Sequence, residues 1–319
     1  MSQVATAESD YRALTERCGL IDRSERGKLA LTGREARSFL QGQVTNDVER
    51  LEDGEGCYAA FLTPKGKMLG DLRVLAAADA LLLDTERVAL QALFNLIRRF
   101  SIGYDVELHK RTLERGLLSL IGPDADRIAG TEELAATEHA HTVVGVDGIE
   151  ARAIRTERGL DLLCVASETD ALRASLIDRG ALLVSEAASE CVRVEGGRPR
   201  YGVDLNETVI PQEAGLNDRA VSFTKGCYVG QETVARLYYR GKPNRHLRGL
   251  RLSAPFAIGT DLLLEERPVG RLTSVAESPR FGPIGLALVR REAAPGTVLI
   301  PRGEDGTAQV VELPFTAGY

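Results

Sequence analysis

The chain has 319 residues, of which 44% are hydrophobic and 27% charged, and a formal net charge of −6. This is globular composition, long enough for two or three packed domains, and it excludes a largely disordered chain. The acidic balance argues against a general nucleic-acid binder, and apolar runs such as Ala76–Leu83 are too short and interrupted to cross a bilayer.

Five scattered cysteines (Cys18, Cys57, Cys164, Cys191, Cys227) form no CxxC pair, which argues against a disulfide framework or a structural zinc site. Only four histidines are present, so no metal centre is expected. The first twenty residues carry neither a basic stretch nor an apolar one, so no secretory signal is expected and the cytoplasm is the expected compartment.

In chain order, Ala36, Phe39, Leu40 and Val44 lie at helical spacing, with Thr32 as a candidate cap. Leu90, Leu93, Phe94 and Ile97 repeat that spacing, led in by Asp84 or Thr85 and followed by Gly103. A similar unit recurs downstream: Leu160–Val165 reads as a strand, Ser167 or Thr169 as a cap, Leu172–Ile177 as a helix and Gly180 as its stop. From about Leu247 the pattern changes to short strand-like runs punctuated by Gly and Pro, which predicts a barrel or sandwich of about five or six strands.

The sharpest chemical signal is Lys225-Gly226-Cys227-Tyr228-Val229-Gly230-Gln231-Glu232. Two glycines around a cysteine allow a tight turn that exposes the thiol, and the run Thr233–Leu237 reads as a helix beginning just beyond it. Lys225 and the N–H groups of that helix would favour a thiolate; a buried structural cysteine in a glycine turn is the other reading. Downstream, Arg236, Arg240, Lys242 and Arg245 form a cationic run suited to a carboxylate or phosphate, or to plain solvation.

The segment KGCYVGQE, followed by VAR and YRGKPNR, resembles the signature of the YgfZ family and its mitochondrial iron–sulfur assembly relatives. Gln41–Asp47 and Pro64–Met68 resemble that family's N-terminal domain, and Val194–Leu216 resembles a segment shared with the glycine-cleavage aminomethyltransferase, the T-protein. The resemblance implies an α+β, three-domain ring with a central funnel for tetrahydrofolate and a C-terminal β-barrel. The expected divisions are 1–110, 111–185, a segment 186–245 returning to the folate-binding core, and 246–319.

It also implies a tetrahydrofolate-binding accessory protein for iron–sulfur cluster assembly or repair, supporting enzymes such as the one that methylthiolates transfer RNA. Its expected partners are folate and iron–sulfur proteins or assembly factors. The alternative is one-carbon transfer of the T-protein type, and whether the chain is an enzyme at all stays open.

Asp71 matches the T-protein aspartate near the reacting folate nitrogen, in Gly66-Lys67-Met68-Leu69-Gly70-Asp71-Leu72. Asp161 stands where a pterin-binding glutamate would be, and Ser189 replaces a folate-contacting arginine, four residues before Arg193. The resemblance thus marks Cys227 and Asp71 as catalytic candidates, and Asp161, Ser189, Arg193, Tyr201, Lys225, Tyr228 and Arg236 as cofactor-binding ones. With no tryptophan in the chain, stacking on folate falls to Tyr58, Phe61, Tyr201 or Tyr228.

Overall fold

The computed structural model describes residues 3–316, with side chains from residue 7 onward. Helix α1 (Gln3–Glu16) is followed by β1 (Gly19–Asp22), β2 (Gly27–Thr32), α2 (Ala36–Gln41), β3 (Gly56–Leu62), β4 (Met68–Ala77), β5 (Ala80–Thr85), α3 (Arg87–Phe100) and β6 (Glu107–Lys110). Next come β7 (Arg115–Ile121), α4 (Ala125–Ala129), β8 (His141–Val146), β9 (Ile149–Thr156), β10 (Gly159–Val165), α5 (Thr169–Asp178), β11 (Leu182–Leu183) and α6 (Glu186–Glu195). Helices α7 (Asn217–Ala220) and α8 (Gln231–Arg240) precede β12 (Arg245–Leu252), β13 (Asp261–Leu264), β14 (Arg267–Ser278), β15 (Gly282–Arg290), β16 (Val298–Pro301) and β17 (Ala308–Val311).

These strands make a five-stranded sheet, β3-β4-β5-β2-β6, a six-stranded sheet, β11-β1-β7-β10-β9-β8, and a closed six-stranded barrel, β12-β15-β14-β13-β16-β17. Side chains alternate across a strand, so each sheet sorts its residues onto two faces. On β4, Leu72, Val74 and Ala76 join the first core with Leu90, Leu93 and Ile97 of α3. On β7 and β10, Leu118, Leu120, Leu160 and Leu162 join the second core with Leu172 and Leu176 of α5. The opposite faces carry Asp71, Arg73 and Leu75 on β4, Leu117 and Ser119 on β7, and Asp161 and Leu163 on β10. Across that inter-sheet space Arg73 reaches Asp161 at 2.6 Å.

The expected fold class holds, and the barrel has six strands. Several local expectations shift. Thr32 is not a helix cap; it ends β2 with its Oγ1 2.9 Å from His109 Nε2, and Glu35 takes the N-cap position of α2. That helix stops at Gln41, and Val44 instead forms an isolated bridge with Phe61. Asp84 and Thr85 finish β5, because Asp84 pairs across the sheet with Lys28 and Arg73; Glu86 precedes α3 instead. Helix α8 begins at Gln231 rather than Thr233, set off by Gly230 in the left-handed region at φ 86°. Finally, β1 pairs with β7 and β11, so the stretch 1–110 contributes strands to both sheets rather than to one.

The segment from Tyr201 to Val234 returns to the first core, where Tyr201, Leu205, Val209, Leu216, Tyr228 and Val234 are buried. Helix α6, capped by Ser185 Oγ accepting from Ala188 N, packs against α1 and β14 and so joins the second sheet to the barrel.

Candidate functional site

A funnel of about 290 Å³ opens where the two sheets meet the segment 189–201. On its first-sheet side Asp71 is buried, and Tyr58 Oη donates to its Oδ2 at 2.5 Å. Burial raises the Asp71 carboxyl to about 6; the Tyr58 hydrogen bond pulls the other way. Burial and the neighbouring Asp71 also hold the Tyr58 phenol well above its usual range, so the phenol is the donor of the pair.

Beside this pair runs a buried ionic relay. Arg26 donates through Nε to Asp84 Oδ1 at 2.9 Å and also pairs with Glu86. Arg73 donates through Nε to Asp84 Oδ2 at 2.6 Å and through Nη1 to Asp161 Oδ2 at 2.6 Å. Ser119 Oγ donates to Asp161 Oδ1 at 2.5 Å. Although burial opposes ionisation, the two guanidiniums outweigh it and hold Asp84 at about 2. Asp161 is thus fixed in rotamer by partners on both oxygens while keeping lone pairs for a further donor.

Ser189 lies in the wall of the funnel and accepts from Arg23 Nη2 at 2.8 Å. A guanidinium is therefore present beside Ser189, supplied by the β1–β2 turn. Arg193 also borders the funnel, but its guanidinium is engaged by Glu190, Asp204 at 2.7 Å and Ser274 at 2.7 Å, which ties α6 to the barrel. Of the four stacking candidates, Tyr58 and Tyr201 line the funnel, with Arg219 lying 5.1 Å over the Tyr58 ring. Phe61 and Tyr228 are in the first core instead.

The funnel also holds groups that motif reading passed over: Arg26, Arg73, Ser119, Glu138, His139, Arg198 and Arg219. His139 has a left-handed backbone at φ 74° and is buried; desolvation, then Arg73, lower its imidazole to about 4, so it is neutral at physiological pH. Glu138 accepts from Arg219 at 2.9 Å and from Arg198. For Arg73 the signal in the sequence is a second charged residue at the same alternation as Asp71 within the run LGDLRVLAA.

Lys225, Tyr228, Arg236 and Cys227 are not among the residues that line the funnel. They belong to a second construction. Lys225 Nζ donates to the carbonyls of Gln41 at 2.6 Å, Val44 at 2.7 Å and Asn46 at 2.8 Å, and burial lowers it to about 8. Gly230 packs so closely on the β3–β4 turn that a Cβ there would come within 2.5 Å of the Thr63 carbonyl oxygen. The Gln41–Asp47, Pro64–Met68 and Lys225–Glu232 motifs, far apart in sequence, thus form one packed unit. At its surface Cys227 is exposed, between exposed Gly226 and buried Tyr228. Arg236 is exposed on α8, and Arg245 is committed to Glu213 at 2.9 Å.

The chain matches two family descriptions, the GCVT N-terminal domain over residues 2–225 and the glycine cleavage T-protein C-terminal barrel domain over residues 245–316. It belongs to the GcvT/YgfZ folate-binding superfamily. Within the superfamily it is similar to an aminomethyltransferase of Rubrobacter xylanophilus, at 30% identity over 98% of this chain and 87% of that one. It is also similar to a chloroplastic protein of Arabidopsis thaliana, at 28% identity over 93% of this chain and 71% of that one. The glycine cleavage system aminomethyltransferase T of Bartonella henselae shares its fold, with a TM-score of 0.86 over 97% of this chain and 89% of that one at 24% identity. Among the described residues no helix is long and apolar enough to cross a membrane.

Proposed function

We propose that the protein binds a tetrahydrofolate species in the funnel and acts as an accessory factor for iron–sulfur cluster assembly or repair, using Cys227 as a separate thiol site. The observation that carries the reading is spatial: a polar pocket with Asp71 and Asp161 at its wall stands apart from an exposed cysteine braced by all three signature motifs. In the pocket, Asp161 accepts from the pterin amino and ring N–H groups, and Tyr58 and Tyr201 offer ring faces. Arginines outnumber carboxylates along the wall, which suits the anionic glutamate tail. A lone exposed thiol is a poor permanent cluster site, so its role in this reading is transient.

The test is complementation of a strain lacking the protein, scored by methylthiolated transfer RNA. Cys227→Ser is expected to bind folate normally yet fail to restore the modification; full restoration by that variant removes the thiol role.

Aminomethyl transfer is the second reading, favoured by Asp71. A carboxyl group near 6, hydrogen-bonded by Tyr58, exchanges a proton readily at physiological pH, as an acid–base group beside a folate amine must. Formation of 5,10-methylenetetrahydrofolate from an aminomethyl donor would support it, with loss in Asp71→Asn. Absence of product at high protein concentration would remove it.

A further inference from the structure

The inter-sheet space has a second end. Strand register orders it in rows, which can be followed from the funnel towards the opposite side. On the first sheet Asp71 is followed by the row Arg73–Asp84–Lys28, then Leu75–Leu82–Ala30, then Ala77–Ala80. On the second sheet Ser119–Asp161–Ile154 is followed by Leu117–Leu163–Arg152–Val143, then Arg115–Val165. Both faces therefore run from polar to apolar, and the second ends in cations. The Arg73 bridge between Asp84 and Asp161 forms a polar waist between the two ends.

Beyond the waist lies a compartment of about 390 Å³, of a size that small-molecule sites use. Leu75, Leu117 and Ile154 line it; they are almost fully buried, yet they belong to neither hydrophobic core. Alanines at 30, 77 and 80 leave the space open where larger side chains would close it. Protein interiors rarely leave leucine-walled space unfilled, since unmade contacts cost stability.

Arg115 and Arg152 also line the compartment. Arg152 Nη1 lies 2.9 Å from His141 Nδ1, and burial together with Arg152 pushes that imidazole down, so it is a neutral partner. Arg111, also in the lining, is paired with Glu114, whereas among the described residues neither Arg115 nor Arg152 forms an ion pair, although Asp79 and Glu150 also line the compartment. A chamber with one wall of leucine, isoleucine and alanine and with two arginines free of carboxylate partners matches an amphipathic anion.

We propose that this rear compartment is a second ligand site, distinct from the funnel, and that it takes a medium-chain aliphatic carboxylate. The chain lies against Leu75, Leu117, Ile154 and Leu163, and the carboxylate is held by Arg115 and Arg152. The site does not depend on the folate reading.

The test is isothermal titration of the full chain with octanoate and, separately, with 1-octanol. The same titrations are run on the double variant Arg115→Gln/Arg152→Gln, whose fold is checked by its melting temperature. Octanoate is expected to saturate the wild type at one site and to bind the double variant at least tenfold more weakly. 1-Octanol is expected to bind both proteins alike and more weakly than octanoate binds the wild type. Binding of 5-formyltetrahydrofolate serves as the control for the funnel and is expected to be the same in both. Absence of saturable octanoate binding, equal octanoate affinity in the double variant, or 1-octanol binding as tightly as octanoate would each overturn the proposal.

Discussion

The funnel wall and the Cys227 loop are built on opposite plans. The funnel is held by side chains: Arg26, Arg73, Asp84, Asp161 and Ser119 lock one another across two sheets. The loop is held largely by backbone, with Lys225 gathering three carbonyls and Gly230 pressed on the Thr63 carbonyl. A side-chain network can be retuned one residue at a time, whereas a backbone-braced loop needs its glycines and its lysine together. The two should therefore respond differently to mutation, and independently of one another.

The largest expected effect is at the bridge. Arg73→Met leaves Asp161 without its cation and Asp84 with Arg26 alone, and breaking such a buried pair costs about 3–5 kcal/mol. Urea unfolding measures it; a loss within about 0.5 kcal/mol, ordinary for a surface substitution, would show that the sheets do not depend on the bridge.

Asp71 comes next, through pH. Its folded carboxyl titrates near 6 against 3.8 for the ordinary group, so the unfolded chain releases the proton first. Stability from this group is therefore present below 3.8 and is lost as pH rises through 6, by about 3 kcal/mol at most. Asp84 has the opposite sign: its contribution is present above 3.8 and fades as pH falls towards 2. Asp71→Asn should accordingly be more stable than wild type at pH 8 and flatten the curve between 4 and 6. An unchanged pH–stability profile would place the Asp71 carboxyl in a far wetter setting.

Smaller still is Lys225→Met, which strands three carbonyls and is expected to cost on the order of 2 kcal/mol while folate affinity stays within about twofold. A parallel collapse of folate binding would mean that loop and funnel are one unit. Cys227→Ser, on an exposed side chain, should leave the unfolding midpoint unchanged, with a stability difference within about 0.5 kcal/mol.

The same contrast explains what could be read from the amino-acid order. The Cys227 loop was legible because its signature is contiguous and its glycines announce a turn. The barrel was legible because its strands are short, local and punctuated. Asp71 and Asp161 were found by motif, and the fold places both on the funnel wall. Arg73, His139 and Arg23 carry no motif signal of their own: Arg73 lies just past the Asp71 motif on the same face of β4, and His139 and Arg23 are brought to the site by the fold. Lys225 is expected from its place beside Cys227 to tune the thiol, whereas in the fold its ammonium is taken up by the carbonyls of Gln41, Val44 and Asn46. Arg193 borders the funnel as the resemblance implies, while its guanidinium is engaged by Asp204 and Ser274, residues whose proximity depends on how the barrel docks.

The most direct measurement is isothermal titration of 5-formyltetrahydrofolate into wild type, Asp161→Asn and Cys227→Ser. The expected result is one saturable site in the wild type, affinity weakened about tenfold or more in Asp161→Asn through loss of a charged acceptor, and Cys227→Ser within about twofold of wild type. No saturable binding to the wild type, or equal weakening in the two variants, would contradict a folate funnel that stands apart from the thiol loop.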